Sequence, residues 1–293
     1  MATLNQWIAG ARPRTLTASV APVAVGLGAA YAVGPASWGL ALLALVVALC
    51  LQIGSNYAND YSDGVRGTDA VRVGPTRLVG QGLAAADSVK IAAYLAFFFA
   101  GLFGFALIAL TETWLLLLVG AAALVGAWRY TGGERPYGYR GLGEVSVFVF
   151  FGLVATMGTL YTQTKTLSWP GLLGAVGVGA LAMALLVVNN LRDIPTDAAS
   201  GKLTLAVRLG DKRTRLLWYG LVLVGLLMVG ACAWWHPTAL VGLLSAVLAW
   251  APFTTIRGGA AGPALVEALV GTSRFQLAYG VLLGLGLGLS RLF

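Results

Sequence analysis

The sequence predicts an all-α, polytopic membrane protein with nine transmembrane helices and a cytoplasmic N-terminus. Three observations lead to this prediction. The 293 residues are 58% hydrophobic and only 10% charged, whereas soluble globular chains carry about 25% charged residues. The hydrophobic residues form runs long enough to cross the ~30 Å hydrocarbon layer as helices. The basic residues lie almost entirely on one side of the predicted membrane.

Nine apolar runs follow one another along the chain, of which the fourth and the ninth are short. The runs are Leu16–Val33, Trp38–Asn56, Val89–Leu110, Trp114–Tyr130, Val145–Tyr161, Trp169–Val188, Leu216–Trp235, Thr238–Ile256 and Phe275–Leu289. We interpret residues 1–293 as a single transmembrane domain. Within it, residues 1–130 and 142–257 can be read as two parallel four-helix repeats, followed by a ninth helix.

The positions of lysine and arginine predict the orientation. With nine spans, 17 of the 19 basic residues fall in loops on one side, and only Lys165 and Arg291 fall on the other. By the positive-inside rule, the N-terminus then faces the cytoplasm and the C-terminus lies outside, as expected for a multi-pass protein of the cytoplasmic membrane. The net charge of +8 does not indicate nucleic-acid binding, because the basic residues form neither a tail nor an amphipathic face.

A cluster of polar residues follows directly on the second apolar run. If that helix continues, Asn56, Asn59, Asp60 and Asp63 stand at positions i, i+3, i+4 and i+7, on one helix face. Asp69 adds a third carboxylate close by. Carboxylates this close together at the edge of a bilayer repel one another. The spacing therefore predicts a positively charged partner at this place.

A second cluster of the same kind follows the sixth apolar run. It contains Asn189, Asn190, Asp193 and Asp197, with the last three at i, i+3 and i+7. Pro195 lies inside this cluster, so we expect the helix to kink or end there. With nine spans both clusters face the cytoplasm, and we predict that they form one site on that side of the membrane.

Carboxylate and amide oxygens are ligands for Mg²⁺, Mn²⁺ or Ca²⁺ and not for zinc. Five aspartates in two groups suit two metal ions with a diphosphate between them. Arginine and lysine are natural partners of phosphate, and Arg66, Arg72, Arg77, Arg192 and Lys202 lie in or near the clusters. A diphosphate attached to an apolar tail would explain why the site lies in a membrane.

Aromatic residues near the clusters can serve either as packing residues or as shelter for the allylic cation left by a departing diphosphate. The candidates are Tyr57, Tyr61, Tyr130, Tyr137, Tyr139, Phe148 and Phe151.

Several motifs resemble those of the UbiA superfamily of intramembrane prenyltransferases. Asn59-Asp60-x-x-Asp63 with Asp69 resembles the first Asp-rich motif of this family, and Asp193-x-x-x-Asp197 resembles the second. Six further segments are similar to the branch that acts on 1,4-dihydroxy-2-naphthoate in menaquinone synthesis. They are Arg-Pro-Arg-Thr-Leu near the start, Gly-Pro-Thr-Arg-Leu at 74–78, Tyr-Thr-Gly-Gly at 130–133, Tyr-Arg-Gly-Leu-Gly-Glu at 139–144, residues 189–197 and residues 201–210.

The resemblance implies a UbiA-type fold of nine helices around a cytoplasmic-side cavity. It also implies transfer of a polyprenyl group from polyprenyl diphosphate to a small aromatic acid, 1,4-dihydroxy-2-naphthoate, with loss of the carboxylate, giving demethylmenaquinone. The cofactor would be Mg²⁺, as two ions, with Mn²⁺ as a substitute. The implied metal ligands are Asp60, Asp63, Asp69, Asp193 and Asp197, and the catalytic set is Asp60, Asp63, Asp193, Asp197 and Lys202. The implied substrate-binding residues are Asn56, Asn59, Arg66, Arg72, Arg77, Tyr130, Tyr137, Arg140, Asn189, Asn190 and Arg192.

Two alternatives stay open at this point. A related enzyme of the same superfamily would use another aromatic acceptor, such as 4-hydroxybenzoate or homogentisate. An ion transporter would use intramembrane aspartates as an ion pathway, but it predicts acidic residues deep inside the spans, whereas here they lie at span edges and in loops.

Overall fold

The computed structural model describes residues 2–67 and 76–292, and these residues form helices with no β-strand. The prediction of an all-α fold is confirmed. The α-helices are α1 (Leu4–Gly10), α2 (Thr17–Val33), α3 (Trp38–Val65), α4 (Ala86–Thr111), α5 (Leu116–Arg129), α6 (Gly143–Val147), α7 (Ala155–Thr164), α8 (Trp169–Ala199), α9 (Leu205–Ala233), α10 (Trp250–Arg257) and α11 (Leu265–Leu289). A π-helical segment, Phe148–Val154, joins α6 to α7, and a 3-10 helix, Pro237–Ala249, leads into α10.

In the part of the chain that is described, seven helical units are long and apolar enough to cross a membrane. The count rises to eight if one broken span is formed by Leu4–Thr15 and Thr17–Val33, whose axes are bent by 47°. Helix α5 has 14 residues, and at 1.5 Å per residue it is roughly 21 Å long, shorter than the ~30 Å hydrocarbon layer. The count of nine spans, the cytoplasmic N-terminus and the two internal repeats therefore stay predictions.

Helix α3 continues beyond its apolar part, as the first cluster requires. The hydroxyl of Ser37 accepts a hydrogen bond from the amide of Leu40 and so caps its start. The helix then runs without a break to Val65. The polar residues Asn56 to Asp63 thus form its last turns and share a rigid support.

We expected helix α8 to kink or end at Pro195; the helix does not end there, so that part of the expectation is wrong, and a kink stays a prediction. It continues to Ala199. Proline removes one backbone hydrogen bond, but other bonds hold the last turn: the hydroxyl of Thr196 donates to the carbonyl of Asp193 at 3.0 Å. The amide of Ser200 also donates to the carbonyl of Thr196 at 3.1 Å. Asp193 and Asp197 consequently sit on one continuous helix.

Small residues allow the first and last long helices to pack closely. A Cβ atom on Gly28 of α2 would lie 2.0 Å from the carbonyl oxygen of Gly284 in α11. One on Gly280 would lie 2.5 Å from Ala21. Such close backbone approach is typical of helix pairs in membranes. Helix α8, the most buried of the long helices, packs against both α2 and α11.

The π-helical segment forms one wall of an internal cavity. Its Gly152 approaches Gly179 of α8 so closely that a Cβ would lie 2.6 Å from the Gly179 Cα. This contact brings Phe150, Phe151 and Val154 into the cavity lining. Short π segments inside α-helices often occur at functional sites, and here the segment borders the region in which the two polar clusters lie.

Candidate active site

Asp60 and Asp63 of α3 are both almost completely buried, with 1% exposure each. The Asp60 carboxylate accepts hydrogen bonds from the backbone amides of Leu78 at 2.7 Å and Val79 at 3.0 Å. Bonds of this kind stabilise a buried negative charge. Asp60 therefore fastens the segment that begins at residue 76 onto the end of α3.

The two asparagines of the first cluster connect α3 to other parts of the chain. The Asn56 amide nitrogen donates to the carbonyl of Ala11 at 2.8 Å, which ties α3 to the segment after α1. The Asn59 side-chain oxygen accepts a hydrogen bond from the hydroxyl of Thr131 at 2.6 Å, which ties α3 to the loop after α5. These contacts fix the surroundings of the carboxylates.

The second cluster, at the end of α8, contains a buried ion pair. The Arg192 guanidinium forms a two-pronged contact with the neighbouring carboxylate, at 2.7 and 2.8 Å from the two oxygens of Asp193. Arg192 also donates to the Asn189 side-chain oxygen at 2.9 Å. Asn190 instead donates to Glu144 at 2.9 Å. Paired in this way, Arg192 and Asp193 can both be buried, whereas an unpaired charge there would be costly.

The two clusters meet at Lys202. Its ammonium nitrogen lies 3.7 Å from an oxygen of Asp63 and 3.9 Å from an oxygen of Asp197. A nitrogen of the Arg77 guanidinium lies 3.8 Å from the same Asp63 oxygen. The Tyr139 hydroxyl donates to the other oxygen of Asp63 at 2.6 Å. Residues from the ends of α3 and α8, far apart in the chain, thus surround one cation, as the sequence predicts.

The backbone after α8 places Lys202 in this position. Gly201 has φ +72°, a left-handed conformation that glycine adopts without steric cost. The chain then turns back, so that the amide of Lys202 donates to the carbonyl of Asp197 at 2.8 Å. A side chain at position 201 would oppose the turn that brings the ammonium between the carboxylates.

Tyr139 organises the basic residues around Asp63. The Lys202 nitrogen lies 5.1 Å from the centre of its ring, and the Arg66 guanidinium carbon lies 5.4 Å from it, both within cation–π range. Arg66 also donates hydrogen bonds to the carbonyls of Thr131 and Gly133. The aromatic ring and the loop carbonyls hold these two cations beside the carboxylate.

A cavity of about 320 Å³ begins next to the clusters and extends between the helices. Asn56, Asn59 and Asn189 line its polar end. The rest is mainly hydrophobic, formed by residues of α2 to α5, the π-helical segment and α8. Among the described residues that line it, Arg12 is the only charged one. The arrangement offers a charged head site joined to a compartment for an apolar chain.

Tyr130 and Tyr137 also line the cavity, with ring centres 5.6 Å apart in a T-shaped contact. The Tyr137 hydroxyl donates to the carbonyl of Gly126 at 2.8 Å and lies 2.8 Å from the Ser146 hydroxyl. Burial raises the pKa of Tyr137, so its phenol stays neutral at physiological pH. Arg140, in contrast, is exposed at the surface and does not line the cavity.

Asp69 and Arg72, expected at the first cluster, lie outside the described residues. In the described ranges, no three His, Cys, Asp or Glu side chains are grouped so as to hold a metal ion by themselves. Asp63 and Asp197 nevertheless face a shared positive charge. Mg²⁺ commonly takes one or two carboxylates and completes its shell with water and phosphate oxygens. These two aspartates, with the neighbouring amide oxygens, fit an ion shared with a diphosphate.

Two residues of the site, Glu144 and Arg12, received no site role from the sequence, and Tyr139 was expected only as a packing residue or as shelter for an allylic cation. The Tyr139 hydroxyl contacts Asp63, which precedes it by 76 residues, and no local spacing reveals a contact of that range. Glu144 is 1% exposed and accepts a hydrogen bond from Asn190. Arg12, counted only among the topology charges, lines the cavity. The sequence signals for Arg12 are its position just before Pro13 and the first span and its place in the Arg-Pro-Arg-Thr-Leu segment.

Comparison with known proteins identifies the family. The family model for the UbiA prenyltransferase family matches residues 19–259. A 1,4-dihydroxy-2-naphthoate octaprenyltransferase of Mycobacterium tuberculosis is 51% identical over 281 residues, which are 96% of this chain and 96% of that protein. The enzyme of the same name from Mycobacterium leprae is 51% identical over 96% of this chain and 95% of its own length.

A solved structure shares the fold. A UbiA homolog from Archaeoglobus fulgidus, bound to GPP and Mg²⁺, superposes with a TM-score of 0.67, covering 95% of this chain and 99% of that one at 16% sequence identity. The match over residues 19–259 includes both aspartate clusters, Tyr139 and Lys202. The chain is therefore an integral, multi-pass membrane protein that belongs to the UbiA prenyltransferase family.

Proposed function

We propose that this protein transfers a polyprenyl group from polyprenyl diphosphate to 1,4-dihydroxy-2-naphthoate, with loss of the ring carboxylate, in menaquinone biosynthesis. The observation that carries the proposal is the contact of both aspartate clusters with Lys202 beside a mainly hydrophobic cavity. The acceptor is inferred from the relatives that are 51% identical over nearly the whole chain.

The diphosphate would bind where the basic residues gather around Asp63. Lys202, Arg77 and Arg66 supply positive charge there, and guanidinium and ammonium groups are the usual partners of phosphate oxygens. The prenyl chain would lie in the cavity between hydrophobic side chains. Positioning by these fixed groups spares the enzyme the entropic cost of bringing the reactants together in the transition state.

We propose that the site takes two Mg²⁺ ions, with Mn²⁺ as a substitute. Asp63 and Asp197 would hold an ion first, because they already share one cation. Asp60 and Asp193 complete the proposed ligand set, together with Asp69. Bound Mg²⁺ would neutralise the diphosphate and stabilise it as a leaving group.

The reaction balances without a further reactant. The bond between the prenyl C1 and the diphosphate oxygen breaks, and diphosphate leaves with the electron pair. The ring carbon that bears the carboxylate supplies the electron pair for the new carbon–carbon bond. The carboxylate leaves as CO₂, and its bonding pair restores the aromatic ring. The direct product is the quinol form of demethylmenaquinone, and its oxidation to the quinone is a separate step.

Tyr130, Tyr137 and the π-segment residues Phe150 and Phe151 form the aromatic part of the lining. Their ring faces can stabilise an allylic cation while excluding water, which would otherwise capture it. The neutral phenol of Tyr137 suits this role, because it adds no charge beside the cation. The excess of basic residues near the site supports its placement on the cytoplasmic side of the membrane, in a nine-span topology.

The test is a transfer assay with purified protein in lipid nanodiscs. A labelled polyprenyl diphosphate is offered with Mg²⁺ and one acceptor at a time: 1,4-dihydroxy-2-naphthoate, 4-hydroxybenzoate or homogentisate. We expect prenylation of the naphthoate, with one CO₂ released per transfer when its carboxyl carbon is labelled. Preference for another acceptor, or prenylation without CO₂ release, would contradict the proposal. Ion flux through the protein in liposomes lacking the donor would instead favour a transporter.

A further inference from the structure

We propose that Arg12 binds the carboxylate of the aromatic acceptor and so selects acids over neutral naphthols. This inference rests on the proposed function for the identity of the acceptor. The geometry that suggests it is independent: among the described residues that line the cavity, Arg12 alone carries a charge. An aromatic acid entering a mainly hydrophobic cavity needs a partner for its carboxylate, because an unpaired charge is costly to desolvate.

The backbone holds Arg12 in a fixed position. Its φ of 54° and ψ of 65° are left-handed values, uncommon for a residue other than glycine. Such conformations persist where neighbouring contacts determine them, often at functional sites. Two contacts do so here. The Thr15 hydroxyl donates to the carbonyl of Arg12 at 2.9 Å, and Asn56 donates to the carbonyl of Ala11 at 2.8 Å.

The backbone next to Arg12 meets α3 about two helix turns before Asp63. Its neighbour Ala11 is bonded to Asn56, which precedes Asp63 by seven residues on α3. Seven residues correspond to about 10 Å along a helix. The carboxylate and the diphosphate would therefore have different cationic partners: Arg12 on one side, Lys202 and Arg77 on the other. Two anions can then occupy the site together without competing for one cation.

The loss of CO₂ limits Arg12 to binding and orienting the acceptor. A guanidinium matches a carboxylate with two parallel hydrogen bonds, which fixes the ring relative to the cavity wall. The same contact stabilises the carboxylate, and this opposes its departure as CO₂. Arg12 thus acts through binding and orientation, and its loss should appear mainly in the KM of the acceptor. A charge-assisted bond of this kind corresponds to about a 10- to 100-fold change in affinity.

The experiment measures equilibrium binding in nanodiscs without Mg²⁺ or prenyl donor. Binding of 1-hydroxy-2-naphthoate is compared with that of 1-naphthol, its neutral counterpart, by calorimetry. We expect the wild type to prefer the acid by about 10- to 100-fold. Arg12→Gln should remove the preference, and Arg12→Lys should retain part of it. The matched control is Arg14→Gln, because Arg14 lies two residues away, is exposed, and does not line the cavity.

Transfer kinetics complete the test. In Arg12→Lys, the KM of the acceptor should rise while that of the polyprenyl diphosphate stays unchanged. A raised KM for the diphosphate with an intact preference for the acid would overturn the proposal, since Arg12 would then serve the donor. Equal binding of acid and naphthol by the wild type would also overturn it. If the acid is preferred through Arg12 but no naphthoate is prenylated, the carboxylate site stands and the proposed function fails.

Discussion

Removal of one carboxylate from either side of the Lys202 cation should nearly abolish transfer. In Asp63→Asn or Asp197→Asn, the side chain keeps its shape but loses its charge. The Asp63 side chain is 2% exposed, so solvent screens it little. At 3.7 Å, two unit charges interact by roughly 4 kcal/mol at an effective dielectric constant of 20. If a bound cation takes the same place, each variant should lose about a thousandfold in kcat/KM.

The double variant Asp63→Asn/Asp197→Asn gives the sharper result. Both carboxylates act on the same charge, so their effects should not multiply. We expect a loss well short of the millionfold that independent contributions would give. The assay is prenyl transfer in nanodiscs, with thermal unfolding of each variant measured to verify the fold. The control is Asp211→Asn, whose carboxylate pairs with Arg215 and is 59% exposed. Pairs at exposed positions contribute only about 0–1 kcal/mol to stability, so this variant should transfer normally.

Either single variant within about tenfold of the wild type would refute this reasoning. A double variant with fully multiplied losses would also contradict it, because the two aspartates would then serve separate functions.

Three further predictions concern the metal, the tyrosine and the helix packing. Removal of divalent ions with EDTA should abolish transfer, and Mg²⁺ but not Zn²⁺ should restore it, as a titration of activity against each ion will show. Tyr139→Phe removes the hydrogen bond to Asp63. This variant should lower kcat/KM about 10- to 100-fold with an unchanged unfolding temperature, and normal activity would exclude a role for the hydroxyl. Gly28→Ala places a Cβ against the Gly284 carbonyl and should destabilise the protein by about 1–3 kcal/mol. The control is Gly34→Ala, where an added Cβ would have no atom within 4 Å, and this variant should keep the wild-type unfolding temperature.

The sequence predicts the helices well because apolar length and charge distribution are local properties. Helix α3 includes the predicted polar face, and its continuation to Val65 follows from the spacing of Asn56, Asn59, Asp60 and Asp63. The end of α8 was harder to predict, because the effect of Pro195 depends on how the following turn is bonded. Thr196 and Ser200 supply those bonds, and no general rule for proline includes them.

The partners of individual side chains could not be predicted from spacing alone. Asp60 and Asp63 are three residues apart on one helix, yet Asp60 accepts bonds from the amides of Leu78 and Val79, and Asp63 faces Lys202. That difference arises from the tertiary fold, which brings separate segments to neighbouring helix turns. The meeting of the two clusters was predictable, since aspartates grouped at span ends require positive charge. Which cation would lie between them was not.

The contact between α2 and α11 has a consequence for biosynthesis. Both helices contribute to the cavity wall, through Ala18 and Val23 on one side and Leu269 on the other. Because the ribosome makes α2 before α11, this wall is incomplete until α11 has been made. A nascent chain that has inserted all its other helices still presents the small-residue face of α2 to the bilayer. The cavity wall is therefore complete only once α11 has docked against α2.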